Sequence, residues 1–220
     1  GRVRVQFPWQ EDKGQKTPWI RLIQPHSGAG KGFHFIPEIG EEVLVGHESQ
    51  NAEKPFVMGT HYNGSETSSY HTSGNDKKVI HTRSGTKIIL NDAEGSVFIE
   101  DPSGNTYLMD GQGNINVNAP KNMSFTAGEN VLINAGNNIV ASAQKNVNIL
   151  AGEDITETAN DDYNLTASNI IETAEVGRSS MAKKITENMQ SGAYISTKDA
   201  INVESAKEVN VNSGKQVKMQ

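Results

Sequence analysis

The most constraining feature of this sequence is an eight-residue repeat that runs without a gap from Gly113 to Ser168. Position two of each block is always Asn or Asp, and position seven is always Ala. Apolar side chains recur at positions three, five and seven, and this period of two predicts a strand with one buried face. A block of eight residues cannot bury its own apolar face. The blocks must therefore stack, and a regular stack of short strands predicts a fibre or needle.

The repeat continues more weakly beyond Ser168. NIIETAEV follows at residues 169–176, GRSSMA interrupts the phase, and four further blocks resume it before the final KQVKMQ. If Ile171 and Ile185 both occupy position three, they are fourteen residues apart. Two complete blocks would separate them by sixteen residues, so two residues are missing in total. We interpret the interruption as a local two-residue deletion that the stack tolerates, as a bulge or as an exposed kink.

Position three supplies most of the predicted needle core, which consists of Ile115, Met123, Val131, Ile139, Val147, Ile155, Tyr163, Val209 and Val211. Position five is mostly apolar, but it is Glu157 in one block and Glu187 in another. If both face inward, they are axial carboxylates, and close like charges there require protons, waters or a cation. The alternative is that Glu157 rotates outward at a local distortion.

Three regions follow from the chain pattern: a barrel at residues 1–64, connector strands at 65–112 and the repeat at 113–220. The first region has short strands separated by turn residues, at Arg2 to Phe7, Trp19 to Gln24, Phe33 to Ile36, Glu42 to His47 and Pro55 to Gly59. Five short strands in about sixty residues favour a small barrel of the oligonucleotide/oligosaccharide-binding (OB) type. The predicted fold class is all-β, a five-stranded OB-type barrel followed by a β-helix built on octads.

Composition excludes several functional classes. The 220 residues carry a formal charge of −6, without the clustered Lys and Arg that nucleic acids or anionic membranes require of a partner. There is no cysteine, which excludes disulfides and thiolate metal sites. No apolar run approaches transmembrane length, and the start, without Met and already within a strand pattern, indicates a piece of a longer protein.

No catalytic, cofactor or metal site is predicted. The six histidines all precede residue 82, without a close pair or an HExxH motif. The glycine-rich stretch Gln24 to Gly32 precedes a strand-like segment, whereas a phosphate-binding loop precedes a helix. Adjacent acids such as Glu41 and Glu42 point to opposite faces of a strand, so they cannot act as an acid/base pair. We therefore expect a protein that is not an enzyme.

The segments GRVRVQFPWQ, TPWIRLIQPHSGAGKGFHFIPEIGEEVLVGHE and EKPFVMGTHYNG resemble the barrel of VgrG spike proteins of type VI secretion systems. In that family the pattern comprises a GRV(K/R)VQF start, a W-(I/V)-R strand, a GFxFIPxxGxEV segment and a final PxVxGxxYNG. The octads are similar to the family's next element, an intertwined trimeric triple-stranded β-helix related to the spike of contractile phage baseplates. Only Ser65 to Lys77 separates barrel and next strand, which leaves no room for the lysozyme domain of some phage relatives.

The resemblance implies a structural piercing spike that punctures target membranes and delivers tip or effector proteins. It implies a homotrimer whose barrel end faces a hub domain and tail tube, and whose free end receives a conical tip protein or effector. Candidate tip contacts are Val217, Lys218, Met219 and Gln220. It also implies assembly in the bacterial cytoplasm without a signal peptide, followed by ejection and transient contact with a target membrane. A single chain using three blocks per turn is the geometric alternative, although no period of twenty-four is present.

Two other functional classes remain open from the residues alone. A tailspike-like β-helix that binds or degrades polysaccharide would present exposed aromatics and paired acids along a groove, and the octads offer few of either. A nucleic-acid-binding barrel with a stalk would use Trp9, Trp19 and Phe33 as stacking platforms. The acidic balance weighs against the latter class.

Val147 at position three is predicted to point into the needle core, and Asn148 beside it is predicted to point to solvent. Substitutions at these two positions test the assignment. Replacing Val147 by Asp would place like charges in a narrow apolar core, at a cost of several kcal/mol. Asn148→Asp adds the same charge on the solvent side and should be nearly neutral. Thermal melting of the two assembled variants checks this, and equal melting temperatures would refute the assignment.

Overall fold

The computed structural model describes residues 1–192, 194, 196 and 198–214. It contains β-strands and two short 3-10 helices, at Pro8–Lys13 and Glu48–Gln50, so the predicted all-β class is confirmed. The chain divides into two units, Gly1–Ile139 and Val140–Gln220. All strands of the described residues belong to the first unit. Within the described part of the chain, no helix is long and apolar enough to span a membrane.

The first sheet has four strands in the order β1-β2-β6-β5. Their bounds are β1 Arg2–Val3, β2 Ile20–Leu22, β5 Val43–His47 and β6 Pro55–Thr60. Strands β2 and β6 pair in parallel, and the other neighbours pair antiparallel. The core at the centre of this sheet is small: Ile20 and Val57 are its buried apolar side chains.

A polar clasp around Thr17 holds the chain that follows β1. The buried Thr17 hydroxyl accepts the Val5 N–H at 2.9 Å, and the Thr17 N–H donates to the Val5 carbonyl at 2.8 Å. The Arg4 Nε also donates to the Thr17 carbonyl at 3.0 Å. These bonds satisfy backbone groups outside a regular ladder, so β1 is shorter than the predicted strand from Arg2 to Phe7.

The predicted strand from Phe33 to Ile36 is wrong. The pairing lies just before it, between β3 Ser27–Gly28 and β4 Lys31–Gly32, which form a tight hairpin in the glycine-rich stretch. Gly32 has φ of +122°, and a Cβ there would lie 2.3 Å from the His26 carbonyl oxygen, so only glycine fits. The Phe33 N–H donates to the His26 carbonyl at the open end of this hairpin, and the chain then continues in irregular structure.

The second sheet is an antiparallel meander in the order β11-β10-β9-β8-β7. Its strands are β7 Lys77–His81, β8 Lys87–Asn91, β9 Ser96–Glu100, β10 Thr106–Met109 and β11 Ile115–Asn118. Short turns join these strands. The last strand belongs to the first octad of the repeat, so the predicted boundary at residue 112 falls inside one continuous sheet.

Two of the meander turns share one design, an Asp that is followed by an Asn four residues later. The Asp101 carboxylate accepts hydrogen bonds from the side chain and N–H of Asn105 and from those of Ser103, at 2.7 to 3.0 Å. Asp110 accepts equivalent bonds from both donors of Asn114. The glycine before each Asn has a positive φ, 88° at Gly104 and 96° at Gly113. In each turn the Asp carboxylate accepts hydrogen bonds from backbone N–H groups that have no partner on a neighbouring strand.

Asp101 gives a testable consequence for acid stability. The hydrogen bonds from the Asn105 side chain, and then from Ser103, lower the pKa of Asp101 from 3.8 to about 2. Because the folded-state pKa is depressed, the contribution to stability is present above about pH 4 and is lost as pH falls toward 2.

An NMR titration of the Asp101 carboxyl carbon checks this expectation. Asn105→Ala should raise the pKa toward its ordinary value, whereas Asn114→Ala, in the matching turn around Asp110, should leave the pKa of Asp101 unchanged. An equal response to both substitutions would contradict the turn-specific cause.

Candidate functional site

One face of the second sheet is almost entirely apolar. Residues directly opposite each other in an antiparallel sheet point to the same side, and the register joins two such rows across all five strands. One row is Ile80, Ile88, Ile99, Tyr107 and Val117, and the other is Lys78, Leu90, Val97, Met109 and Ile115. We call these ten residues the apolar sheet face. Lys78 at its edge bonds to Asp92 at 2.6 Å, so the face carries no unpaired charge.

The apolar sheet face is largely uncovered within the chain. Seven of its nine apolar residues are between 37% and 60% exposed, with the largest value at Ile115 on the last strand, and Val97 and Tyr107 are half-buried. The opposite face carries a half-buried row with Ile89, and beside it an ion pair of 2.7 Å between Lys87 and Glu100. That hydrogen bond raises the pKa of Lys87. A contiguous exposed apolar surface on a sheet marks a site of interaction.

Strand β11 links this face to the repeat. Ile115 and Val117 are positions three and five of the first octad, and both lie on the apolar sheet face. Asn116 and Asn118 alternate with them and point to the opposite side. In the first octad, positions three and five therefore share one apolar side of the sheet.

Beyond Asn118, the described octads are extended segments separated by regular bends. The bends fall at positions eight and one of the blocks, at residues 120–121, 128–129, 136–137, 144–145, 152–153 and 160–161. No strand pairing joins the described residues beyond Asn118 to one another or to the rest of the chain. The backbone of each straight segment therefore offers strand edges that its own chain does not pair.

The octad side chains show the same alternation. Val147 at position three is 60% exposed, whereas Leu150 at position six is 92% exposed. The nine predicted core residues are all exposed in the single chain. The described part of one chain leaves this apolar stripe uncovered, and the core assignment stays a prediction.

The structure changes the expected register after Ser168. Ile170 is 54% exposed and Ile171 is 88% exposed, so Ile170 occupies the sheltered position three. The bends at residues 168 and 183 span a single residue, whereas the neighbouring regular bends span two. The expected two-residue deletion is thus divided between two bends, and one residue is missing at each. The sequence signal was Ala174, which follows Ala167 by seven residues and not by eight.

With this register, two acidic side chains at position five each meet a polar side chain at position three of the following block. The Tyr163 hydroxyl donates to Glu157 Oε2 at 2.7 Å. Arg178 Nε and Glu172 Oε2 form an ion pair, also at 2.7 Å. Both pairs are six residues apart. We call them the two polar pairs; the second was missed from the sequence because the register there was misplaced by one residue.

The remaining predicted site residues are not brought together. Glu187 is exposed, and the residue six positions later, Ala193, lies outside the described residues. The tip-contact candidates Val217, Lys218, Met219 and Gln220 also lie outside them. Within the described ranges, no group of three His, Cys, Asp or Glu side chains is placed to hold a metal ion.

Comparison with known proteins assigns the first domain. The family of type VI secretion system/phage-baseplate injector OB domains matches residues 1–62. The type VI secretion system spike protein VgrG2a of Pseudomonas aeruginosa is 36% identical over 85 residues, which cover 37% of this chain and 10% of that protein. The chain is a VgrG-type protein. The resemblance predicted from the sequence is confirmed, as is the OB type of the first domain.

Other VgrG relatives match over similarly short stretches. VgrG1c of Pseudomonas aeruginosa is 33% identical over 90 residues, which cover 40% of this chain and 12% of that protein. The actin cross-linking toxin VgrG1 of Vibrio cholerae is 34% identical over 73 residues, 32% of this chain and 7% of that protein. This VgrG-type chain thus spans about a tenth of the length of the relatives that it matches.

The pair of Glu157 and Tyr163 gives a direct spectroscopic test. The hydrogen bond to Glu157, and then its negative charge, raise the pKa of Tyr163 above 10.0. Glu157→Gln should lower that pKa, as measured by an NMR titration of the tyrosine ring carbons. Glu153→Gln removes a charge from the same block at a bend and should leave the tyrosine unchanged. If the two substitutions act alike, the pair is not formed.

Proposed function

We propose that this chain forms a homotrimeric spike of a type VI secretion apparatus, with an OB-type barrel at one end and an octad needle at the other. The observation that supports it is the apolar sheet face, which continues into the inward positions of the first octad and is uncovered in a single chain. The match of residues 1–62 to the injector OB domain supports the assignment of such a spike to a type VI secretion apparatus.

Further copies of the chain are the occupant that best fits this surface. The repeat offers the same apolar stripe and the same unpaired strand edges at each block, and only a partner with the same period covers both along the whole length. Burying one such aliphatic side chain contributes about 1.5 to 3 kcal/mol relative to full exposure. The gain recurs with each octad, so the assembly strengthens with length.

Three chains satisfy the geometry better than one. A monomeric coil with three blocks per turn would stack each octad on another octad of the same chain, three blocks away. The described octads make no such pairing. In the trimer, each chain gives one side of every triangular layer, and strand edges pair between chains. The predicted triple-stranded β-helix has this arrangement.

A closed stack of this kind suits mechanical work. Layers of hydrogen-bonded strands leave few free edges, and an axial load is shared by many layers, which must fail together. We propose that the needle punctures a target membrane and delivers proteins carried at its end. The barrel end would face a hub and tail tube, and the far end would carry a conical tip protein or an effector. The spike would assemble in the bacterial cytoplasm and then be ejected.

The role proposed for this chain is structural and not enzymatic. Its relatives are named as spike proteins, and one is named as an actin cross-linking toxin, with which this chain shares only 73 aligned residues. The meander from Lys77 follows the barrel directly and leads into the octads. Neither a polysaccharide site nor a nucleic-acid site is favoured, because the repeat displays aliphatic side chains and the chain has a net charge of −6.

Adjacent residues of β11 test the assembly. Val117 lies on the apolar sheet face, and Asn116 lies on the opposite one. Val117 is 52% exposed in the single chain, so Val117→Lys adds no charge to the core of one chain. In a trimer, however, it brings three ammonium groups into an apolar layer.

Native mass spectrometry and light scattering provide the measurement. The natural sequence and Asn116→Lys should give a mass of three chains, and Val117→Lys should lower the trimer fraction strongly. A monomer mass for the natural sequence would rule out the proposed spike, and equal trimer fractions for the two variants would rule out the assigned interface.

A further inference from the structure

We infer that the two polar pairs, Glu157 with Tyr163 and Glu172 with Arg178, set the register in which the copies of the chain assemble. The inference rests on the proposed trimeric needle and adds a specificity role to residues inside it. Three observations lead to it: the equal spacing of the pairs, their places at positions five and three of successive octads, and the apolar character of the blocks before them.

A perfect octad repeat has a register problem. If one chain slips by eight residues relative to its partners, position three meets position three again, and the apolar side chains find equivalent neighbours. Val131, Ile139 and Val147 show this equivalence, because any of them replaces another in a layer with little change of volume. Apolar packing therefore favours assembly but discriminates weakly between registers. Residues that differ from block to block must supply the discrimination.

The two polar pairs supply such a difference. In register, the three Glu157 carboxylates lie at one level and the tyrosine hydroxyls that bond to them lie at the next. After a slip of one block, Glu157 of the displaced chain lies level with Leu165 or Ile149 of its partners. A buried carboxylate beside aliphatic side chains loses its polar neighbours from the other chains and is strongly disfavoured. A single polar layer in an otherwise apolar interface is a known way to fix register.

The geometry explains why pairs are used. Arg178 and Glu172 bring opposite charges into the interior together, so the pair adds no net charge to it. The Tyr163 hydroxyl donates to Glu157 at 2.7 Å, and the three Glu157 carboxylates that lie level in register also require protons, waters or a cation. Each pair joins position five of one block to position three of the next block in the same chain, so it spans two levels. A slip in either direction keeps the pair together but moves both of its levels beside the side chains of other blocks in the partner chains.

The short corners at residues 168 and 183 are a second source of asymmetry. They lie on either side of the second pair, and a slipped chain would align a short corner with a normal one. The test must therefore remove the polar pairs and leave these corners intact. Substitution of the paired side chains alone does so.

The absence of cysteine in the sequence allows a clean measurement of register. One batch of the full chain carries Val131→Cys and another carries Val147→Cys, and the two are mixed, unfolded, refolded and oxidised. These positions lie two layers apart, about 9.6 Å at ~4.8 Å per layer. A disulfide requires Cα atoms within about 7 Å, so a mixed 131–147 disulfide forms only after a slip. Disulfides between identical positions report the correct register.

Three backgrounds are compared. The first is the natural sequence, and the second replaces all four paired residues by Val. The third is a control in which Lys145, Glu153 and Asp161 become Val. These three occupy position one, at the bends, and their removal changes the net charge by the same amount as the loss of the two pairs.

We expect trimers in all three backgrounds, with the mixed disulfide nearly absent from the natural sequence and the control. In the background without the pairs it should rise by at least about tenfold, which corresponds to a loss of ~1.4 kcal/mol of discrimination. Restoring the second pair with its charges exchanged, as Glu172→Arg and Arg178→Glu, should return it to the natural level.

The other outcomes separate the two proposals. If all backgrounds are trimeric and the mixed disulfide does not increase, the corners or the sheet set the register, and this inference is overturned while the spike proposal stands. If only the background without the pairs fails to form trimers, the pairs serve stability and not register, which also overturns it. If the natural sequence is not trimeric, the proposed spike fails, and the inference fails with it.

Discussion

The burial of the octad's apolar side is the constraint on which the rest of this protein depends. An extended segment of eight residues has one apolar side and two strand edges, and its own chain covers neither in the described residues. Both needs are met at once by partners that repeat with the same period. In the proposed needle, the bends at positions eight and one turn the chain after each segment that forms one side of a layer. The Asn or Asp at position two and the Ala at position seven lie next to these bends.

The meander β7–β11 prepares the repeat for this role. Its apolar sheet face includes Ile115 and Val117 of β11, and β11 already belongs to the first octad. The hairpin turns that hold the meander depend on short polar contacts, with Asp101 and Asp110 each bonded to an Asn four residues later. These contacts form within single turns, so the meander is positioned without a large core. The OB-type sheet that precedes it also has a small core, centred on Ile20 and Val57.

Polar side chains inside an apolar stack oppose stability but can add specificity. Glu157 accepts a hydrogen bond from Tyr163, and Glu172 forms an ion pair with Arg178, which reduces that cost. They lie in the part of the repeat where two corners are one residue short. The regular octads before them resemble one another closely, so this irregular part is the one that distinguishes one register from the next. Departures from the repeat thus carry information that the repeat itself lacks.

The sequence by itself determined the all-β class, the position and period of the octads, the OB-type domain and the VgrG type, because these depend on local alternation and on motifs whose residues are close in the chain. It failed at Phe33 to Ile36, where aromatic alternation predicts a strand but the hairpin of Ser27–Gly28 and Lys31–Gly32 forms the pairing first. It also placed Ile171 where Ile170 belongs, since one residue lost at a corner is invisible to a period counted from the block before. Only the tertiary structure joined Ile115 and Val117 to a five-stranded apolar face and brought Arg178 to Glu172. Both depend on cross-strand register and on the path of the chain around its corners, and one-dimensional spacing does not specify either.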